Sequence, residues 1–152
     1  MKKTAKQKIF WMSEKVFLKY VKDAFEFDDH LQLHRRNVGT TKTKSGRFVK
    51  FGEAGQADLF GTLKKWTCPD CGRTREGITI EIEVKGIYKN GKRGVHSPAQ
   101  KKWQAEVERN NGIYLLLYPV ETDPIGLRVR VWRLIVRKFH EQCCGREKGE
   151  RL

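Results

Sequence analysis

The chain's clearest hydrophobic pattern is an alternation. Ile78, Ile80, Ile82 and Val84 fall on one side of an extended segment, and Thr79, Glu81, Glu83 and Lys85 fall on the other. This predicts a strand whose apolar face enters a core. Upstream, Ser13 is placed to cap a helix in which Phe17, Val21, Ala24 and Phe25 recur at helical spacing, with Lys15, Lys19 and Lys22 outside. The segment 31–38 reads as a strand, 39–46 as a polar turn and 47–51 as a second strand. Leu63 to Thr67 should pair with Gly77 to Lys85 as a hairpin. Ser97 then caps a helix with Pro98 at its first position and Gln100 completing a capping box, and Asn110-Asn111-Gly112 ends it. The nearly continuous apolar run 113–120 suits a strand buried on both faces. A last helix opens at Asp123-Pro124, with Leu127, Val131, Leu134 and Ile135 on one face and Arg130, Arg133 and Arg137 on another. The order predicts an α/β fold, a central mixed sheet flanked by helices. Its expected extent is a single domain over 13–142, with a hairpin insertion at 63–78. A basic tail (1–12), ending in Ile9-Phe10-Trp11, should precede it and a charged tail (143–152) follow it. His30 and His34 have no ligand spacing around them and read as surface or sheet residues.

Charge changes this picture. The 152-residue chain carries 32 Lys and Arg against 18 Asp and Glu, a formal net charge of +14. Such an excess calls for a polyanionic partner. Nucleic acid is favoured over a membrane surface, because there is no long basic amphipathic helix with an aromatic belt. No apolar run reaches the length of a membrane span, and the basic N-terminus lacks the apolar segment of a signal peptide; the expected location is cytoplasmic. Two basic loops are candidates for phosphate contact: Lys42, Lys44 and Arg47, and then Lys89, Lys92 and Arg93 directly beyond Lys85. Phosphate-loop, nucleophile-elbow and His-Glu-x-x-His motifs are missing.

With no export signal, the four cysteines favour metal or free thiols over disulfides. Cys68-Pro69-Asp70-Cys71-Gly72 is a knuckle that aims two sulfurs at one point, half of a zinc site. Helical spacing lets His140 share a face with Cys143 or Cys144. Adjacent thiols seldom serve one ion, so the expected set for a structural zinc is Cys68, Cys71, His140 and Cys143. The alternative is two unrelated pairs of reduced thiols.

The chemistry-bearing acids are few. Asp58 sits in Gln56-Ala57-Asp58-Leu59-Phe60-Gly61, short apolar neighbours holding it near a strand end. Glu81, Glu83 and Lys85 would line up within about 14 Å of strand. A surface strand can carry such residues for solubility alone. Their order sharpens the reading. Glu14 in the first helix, Asp58, Glu83-Val84-Lys85, then Ser97-Pro98-Ala99-Gln100 resembles the virus-type replication-repair nuclease (VRR-NUC) domain of the PD-(D/E)XK nucleases, over roughly Ser13 to Val120. Two departures are Ala57 where that family usually has Pro, and the Cys-containing hairpin Trp66–Glu76 that lengthens the gap between Asp58 and Glu83.

The resemblance implies a restriction-endonuclease-like αβββαβ core and hydrolysis of DNA phosphodiesters. Asp58, Glu83 and the Val84 backbone carbonyl would hold magnesium or manganese, hard cations that prefer oxygen ligands. Lys85 would position the attacking water and offset charge at phosphorus. Gln100 would join the active site while also completing its capping box. Glu14 is either a supplementary metal-site carboxylate or an acid placed favourably at a helix N-terminus. Glu81 is either an outer ligand or a solubilising strand residue. The resemblance also implies a homodimer acting on branched DNA, such as four-way junctions or flaps. The rival readings are a non-catalytic nucleic-acid-binding module with a zinc hairpin, and a structural subunit of a larger replication or packaging complex.

Overall fold

A computed structural model describes residues 8–37 and 39–149. The first seven residues of the expected basic tail, Val38 in the expected first strand, and residues 150–152 lie outside the described residues. The elements run α1 (Glu14–Ala24), β1 (His34–Arg35), β2 (Gly39–Lys42), β3 (Phe48–Phe51), β4 (Leu59–Thr67), β5 (Thr74–Val84), α2 (Pro98–Arg109), β6 (Ile113–Leu117) and α3 (Pro124–Gly149).

The main sheet has the order β1-β4-β5-β6. β4 is antiparallel to both β1 and β5, while β6 lies parallel to β5 after the crossover through α2. The molecule is therefore a mixed α/β fold, as the apolar pattern predicts. Ile78, Ile80, Ile82 and Val84 enter a core shared with Phe17 and Val21 of α1 and with Leu127, Val131, Ile135 and Phe139 of α3. That α3 stripe repeats every fourth residue and continues into buried Cys143. On the opposite face of the sheet a smaller cluster of Ala57, Val107 and Tyr114 packs with Trp103 and Leu116. α2 thus covers the side of β5 that carries the acids.

Both helix caps form as the sequence implies. Ser13 Oγ accepts from Val16 N at 3.3 Å, and Ser97 and Gln100 make the reciprocal capping box. The region 31–51 departs from expectation. Among the described residues of the expected strand 31–38, pairing is confined to His34 and Arg35, and the supposed turn contains a strand, Gly39–Lys42, that pairs with β3 as a separate two-stranded ribbon. Thr40 and Thr41 are good strand formers, a preference that the polar character of the segment masked. The expected hairpin at 63–78 forms as the outer part of a longer ladder, β4 and β5 pairing from Leu59↔Ile82 out to Thr67↔Thr74. Nor does the last helix give way to a tail at 143: it continues to Gly149.

A buried carboxylate joins the helices. Asp28 Oδ1 accepts from His30 N and Leu31 N, and Oδ2 from the Trp132 indole, each at 2.9 Å. Burial pushes its pKa up, but these three donors, led by Trp132, outweigh it and hold the carboxyl below its ordinary value. Asp28→Ala should therefore cost about 2 kcal/mol, read as a lower urea midpoint. Since a lowered pKa contributes stability at neutral pH that is lost as pH falls through it, the variant should also lose part of the wild-type acid limb. An unchanged midpoint and acid limb would show that Asp28 does not tie α3 down.

Candidate active site

The register between β4 and β5 assembles the site. Leu59 pairs with Ile82, so the next step outward sets Asp58 opposite Glu83. Asp58 Oδ2 accepts from Val84 N at 2.9 Å. In an extended residue N–H and C=O leave on the same side, so the Val84 carbonyl is also directed toward the Asp58 side of β5.

The polar face of β5 is buried. Glu81, Glu83 and Lys85 are 3%, 1% and 7% exposed, which rules out a solubilising role. Glu81 is held by Arg36 at 2.6 Å and by the Trp103 indole at 2.8 Å, both on Oε2. Those donors make it a structural anchor between β1, β5 and α2 rather than a free outer ligand. Glu83 Oε1 receives Lys85 Nζ at 2.8 Å and the Gln100 side-chain amide. Its Oε2 is buried without a hydrogen-bond partner among the described residues. Gln100 thus makes two contacts at once, its carbonyl oxygen capping Ser97 N and its amide meeting Glu83.

Close backbone approaches fix the frame. A Cβ on Gly55 would lie 2.3 Å from the Ala99 carbonyl oxygen, so the loop before Asp58 is pressed against the start of α2. A Cβ on Gly86 would lie 2.7 Å from Glu14 N, which seats the start of α1 against the end of β5. Glu14 itself is exposed in the first turn of α1, on the rim. It still belongs to the same electrostatic group. Burial raises its pKa, Lys85 lowers it and Asp58 raises it. Burial also raises Asp58, against the Val84 N–H and Lys85. Glu83 is pushed to about 7, first by burial and then by the charges of Asp58 and Glu14, with Lys85 opposing.

Sequence reasoning missed two neighbours. His96 Nε2 and Tyr114 Oη share a 3.2 Å hydrogen bond, and their rings stack at 5.8 Å. His96 is held below its ordinary pKa by burial and by the charges of Lys85 and Lys101. Tyr114 is pushed up by burial and by Glu83, Asp58 and Glu81. The only signal was their place, His96 immediately before the Ser97 cap and Tyr114 at the register position of Glu81 on β6.

The oxygen-rich set of Asp58, Glu83 and the Val84 carbonyl matches what a hard divalent cation requires. The orphaned Glu83 Oε2 supplies the kind of unsatisfied buried acceptor that a cation would satisfy. Of the basic loop residues, Lys42, Lys44 and Arg47 are exposed on the β2–β3 ribbon and its turn. Lys89 lies 5.0 Å over the Trp11 ring and Arg93 4.9 Å over the Tyr118 ring, while Lys92 is exposed at the turn between them. The loop returns so that Gly94 packs on the Lys85 stem, with Gly94 N donating to Gly86 O at 2.9 Å. Of the Arg stripe on α3, Arg130 is half-buried and donates to the Tyr118 carbonyl, whereas Arg133 and Arg137 are exposed.

The cysteines form a second cluster. Cys68, Cys71, Cys143 and Cys144 bring their sulfurs within 4.8 Å of one another and could hold a metal such as zinc. His140, expected among the ligands, lies outside this group and meets Asp70 at 2.6 Å instead. Cys144 joins the cluster instead, its sulfur 3.8 Å from that of Cys68 while the Cys143 sulfur lies 3.6 Å from that of Cys71. At Cys68, the backbone N–H of Cys71, then that of Asp70, hold the thiol down at about 6 against burial.

A raised carboxyl pKa contributes stability below its ordinary value of 4.5 and loses it as pH rises through about 7. In protein free of added divalent cation, wild-type stability should therefore decline between about pH 5 and 8, and Glu83→Gln should lack that part of the decline. Denaturant titrations across this range provide the measurement, and parallel profiles would show that Glu83 is not the group being forced to ionise. Against known proteins, no family model matches the chain and no curated protein gives a significant match, so its function must be argued from the site and the sequence pattern.

Proposed function

We propose that the chain is a divalent-metal-dependent DNA endonuclease of the PD-(D/E)XK type, similar to VRR-NUC domains, with a restriction-endonuclease-like core. The observation that carries this reading is the meeting of Asp58, Glu83, Lys85 and Gln100 around a buried carboxylate oxygen with no hydrogen-bond partner among the described residues. The order α1, β4–β5, α2, β6 supports the αβββαβ reading, with β1 as the further strand.

Asp58, Glu83 and the Val84 carbonyl would hold magnesium or manganese, which supplies charge neutralisation at the phosphate and a nucleophile near neutral pH. The chain's own residues do the rest. Gln100 and Lys85 fix the Glu83 carboxylate from two directions. Lys85, its stem packed against Gly94, offers a rigid ammonium to a water and to negative charge developing at phosphorus. Glu14 on the rim adds a carboxylate at the mouth, favourably placed at a helix N-terminus. Lys42, Lys44, Arg47, Lys89, Lys92 and Arg93 supply exposed positive charge for the phosphate backbone. A homodimer would give two cuts on a branched substrate related by its two-fold axis.

Purified protein with magnesium or manganese should nick or cut DNA, compared across linear, flapped and four-way substrates. Asp58→Ala and Lys85→Ala should each reduce cleavage roughly a hundred-fold or more, while binding in a gel-shift assay survives. Cleavage that persists in both variants would overturn the site. Salt-sensitive binding without any turnover would identify a non-catalytic binding module instead.

A further inference from the structure

The tip of the β4–β5 hairpin and the last third of α3 meet at the four cysteines. The tip is a tight turn in which Cys68 N donates to Arg73 O at 2.8 Å and Gly72 N to Cys68 O at 2.9 Å. On α3, Cys143 ends the buried stripe and Cys144 follows it, half-buried. The sulfur separations are 3.8 Å for Cys68–Cys144, 3.6 Å for Cys71–Cys143 and 3.5 Å for Cys143–Cys144. Zinc–sulfur bonds of about 2.3 Å in a tetrahedron place their sulfurs about 3.8 Å apart. A disulfide needs about 2.05 Å, and all four residues are free thiols. These three separations are close to the edges of a metal tetrahedron and far from a disulfide bond, and all four sulfurs lie within 4.8 Å of one another.

We propose that Cys68, Cys71, Cys143 and Cys144 bind one zinc ion as a closed tetrathiolate centre that staples α3 to the hairpin tip. Four thiolates leave no open position, so the ion is structural. Loading transfers the thiol protons to solvent and leaves a centre of net charge −2. Arg73 stands beside that charge, its guanidinium donating to the Cys143 carbonyl at 3.2 Å, and Arg75 is anchored nearby through Gln142 at 2.6 Å. His140 is not a ligand, being engaged with Asp70 on the exposed side of the knuckle. The centre is also remote from the proposed active site. β4 runs from Leu59, beside Asp58, to Thr67, beside Cys68, a span of about 27 Å. The proposal therefore stands or falls apart from the nuclease reading.

The test uses the full chain, purified under reducing conditions without chelator. Elemental analysis should find about one zinc per chain. Cys144→Ser should lose most of it and His140→Ala should keep it. Replacement by cobalt in the wild type should give the thiolate charge-transfer and intense tetrahedral bands, weakened in Cys144→Ser. Stripping the zinc should lower the melting temperature and expose all four thiols to alkylation. Zinc-free protein with intact thiols, iron as the bound metal, a disulfide between any of the four, or equal zinc loss in His140→Ala and Cys144→Ser would each overturn the assignment. The cobalt spectrum and the thiol count are read on the wild type, so they decide the matter even if a variant folds poorly.

Discussion

The burial of charge on one face of β5 is the constraint to which the rest of the molecule answers. A carboxylate removed from water is costly unless other groups replace the water. Glu81 has two donors on one oxygen, from Arg36 and Trp103. Glu83 has Lys85 and Gln100 on one oxygen and, among the described residues, no partner on the other. Removing either of the donors on Glu83 would leave a desolvated charge uncompensated, so α2 and the end of β5 are coupled through this one side chain. The unequal satisfaction of the two acids separates an anchor from a site held short of full compensation.

That arrangement constrains the surrounding backbone. The acids reach a common place only if α1, α2 and the loop before Asp58 approach β5 closely, and Gly55 and Gly86 provide that approach because a side chain at either would strike main-chain atoms. The opposite face of the sheet bears a conventional load. Its aliphatic residues pack on α1 and α3, and that apolar burial supplies the hydrophobic stabilisation against which a strained polar face can be held. The long β4–β5 hairpin then joins two chemically different ends, carboxylates and a lysine at one and sulfur at the other. Hard and soft donors are kept apart by the length of a strand.

Local patterns made much of this legible beforehand. The alternation at 78–85, the helical stripes and the Ser13 and Ser97 caps each depend on residues close in sequence, and each forms as read. Asp58, Glu83, Lys85 and Gln100 could be singled out because their side-chain chemistry and their order are visible without coordinates. The β2–β3 ribbon was obscured, since threonine-rich polar segments look alike whether they pair or turn. The fourth sulfur was misjudged for a related reason: helical spacing compares side chains along one element and is silent about where a second element comes to rest.

The amino-acid sequence by itself determined the three helices and the long hairpin, the apolar face of the sheet, the strong positive charge and the identity of the acids, lysine and thiols. Only the tertiary structure decided that Glu81 and Glu83 are buried, that His96 and Tyr114 join them, that Glu14 stays on the rim and that Cys144 joins the sulfur cluster while His140 meets Asp70. The physical reason is that burial and mutual distance are properties of packing between segments far apart in the chain, whereas periodicity and capping are properties of the few bonds around each residue.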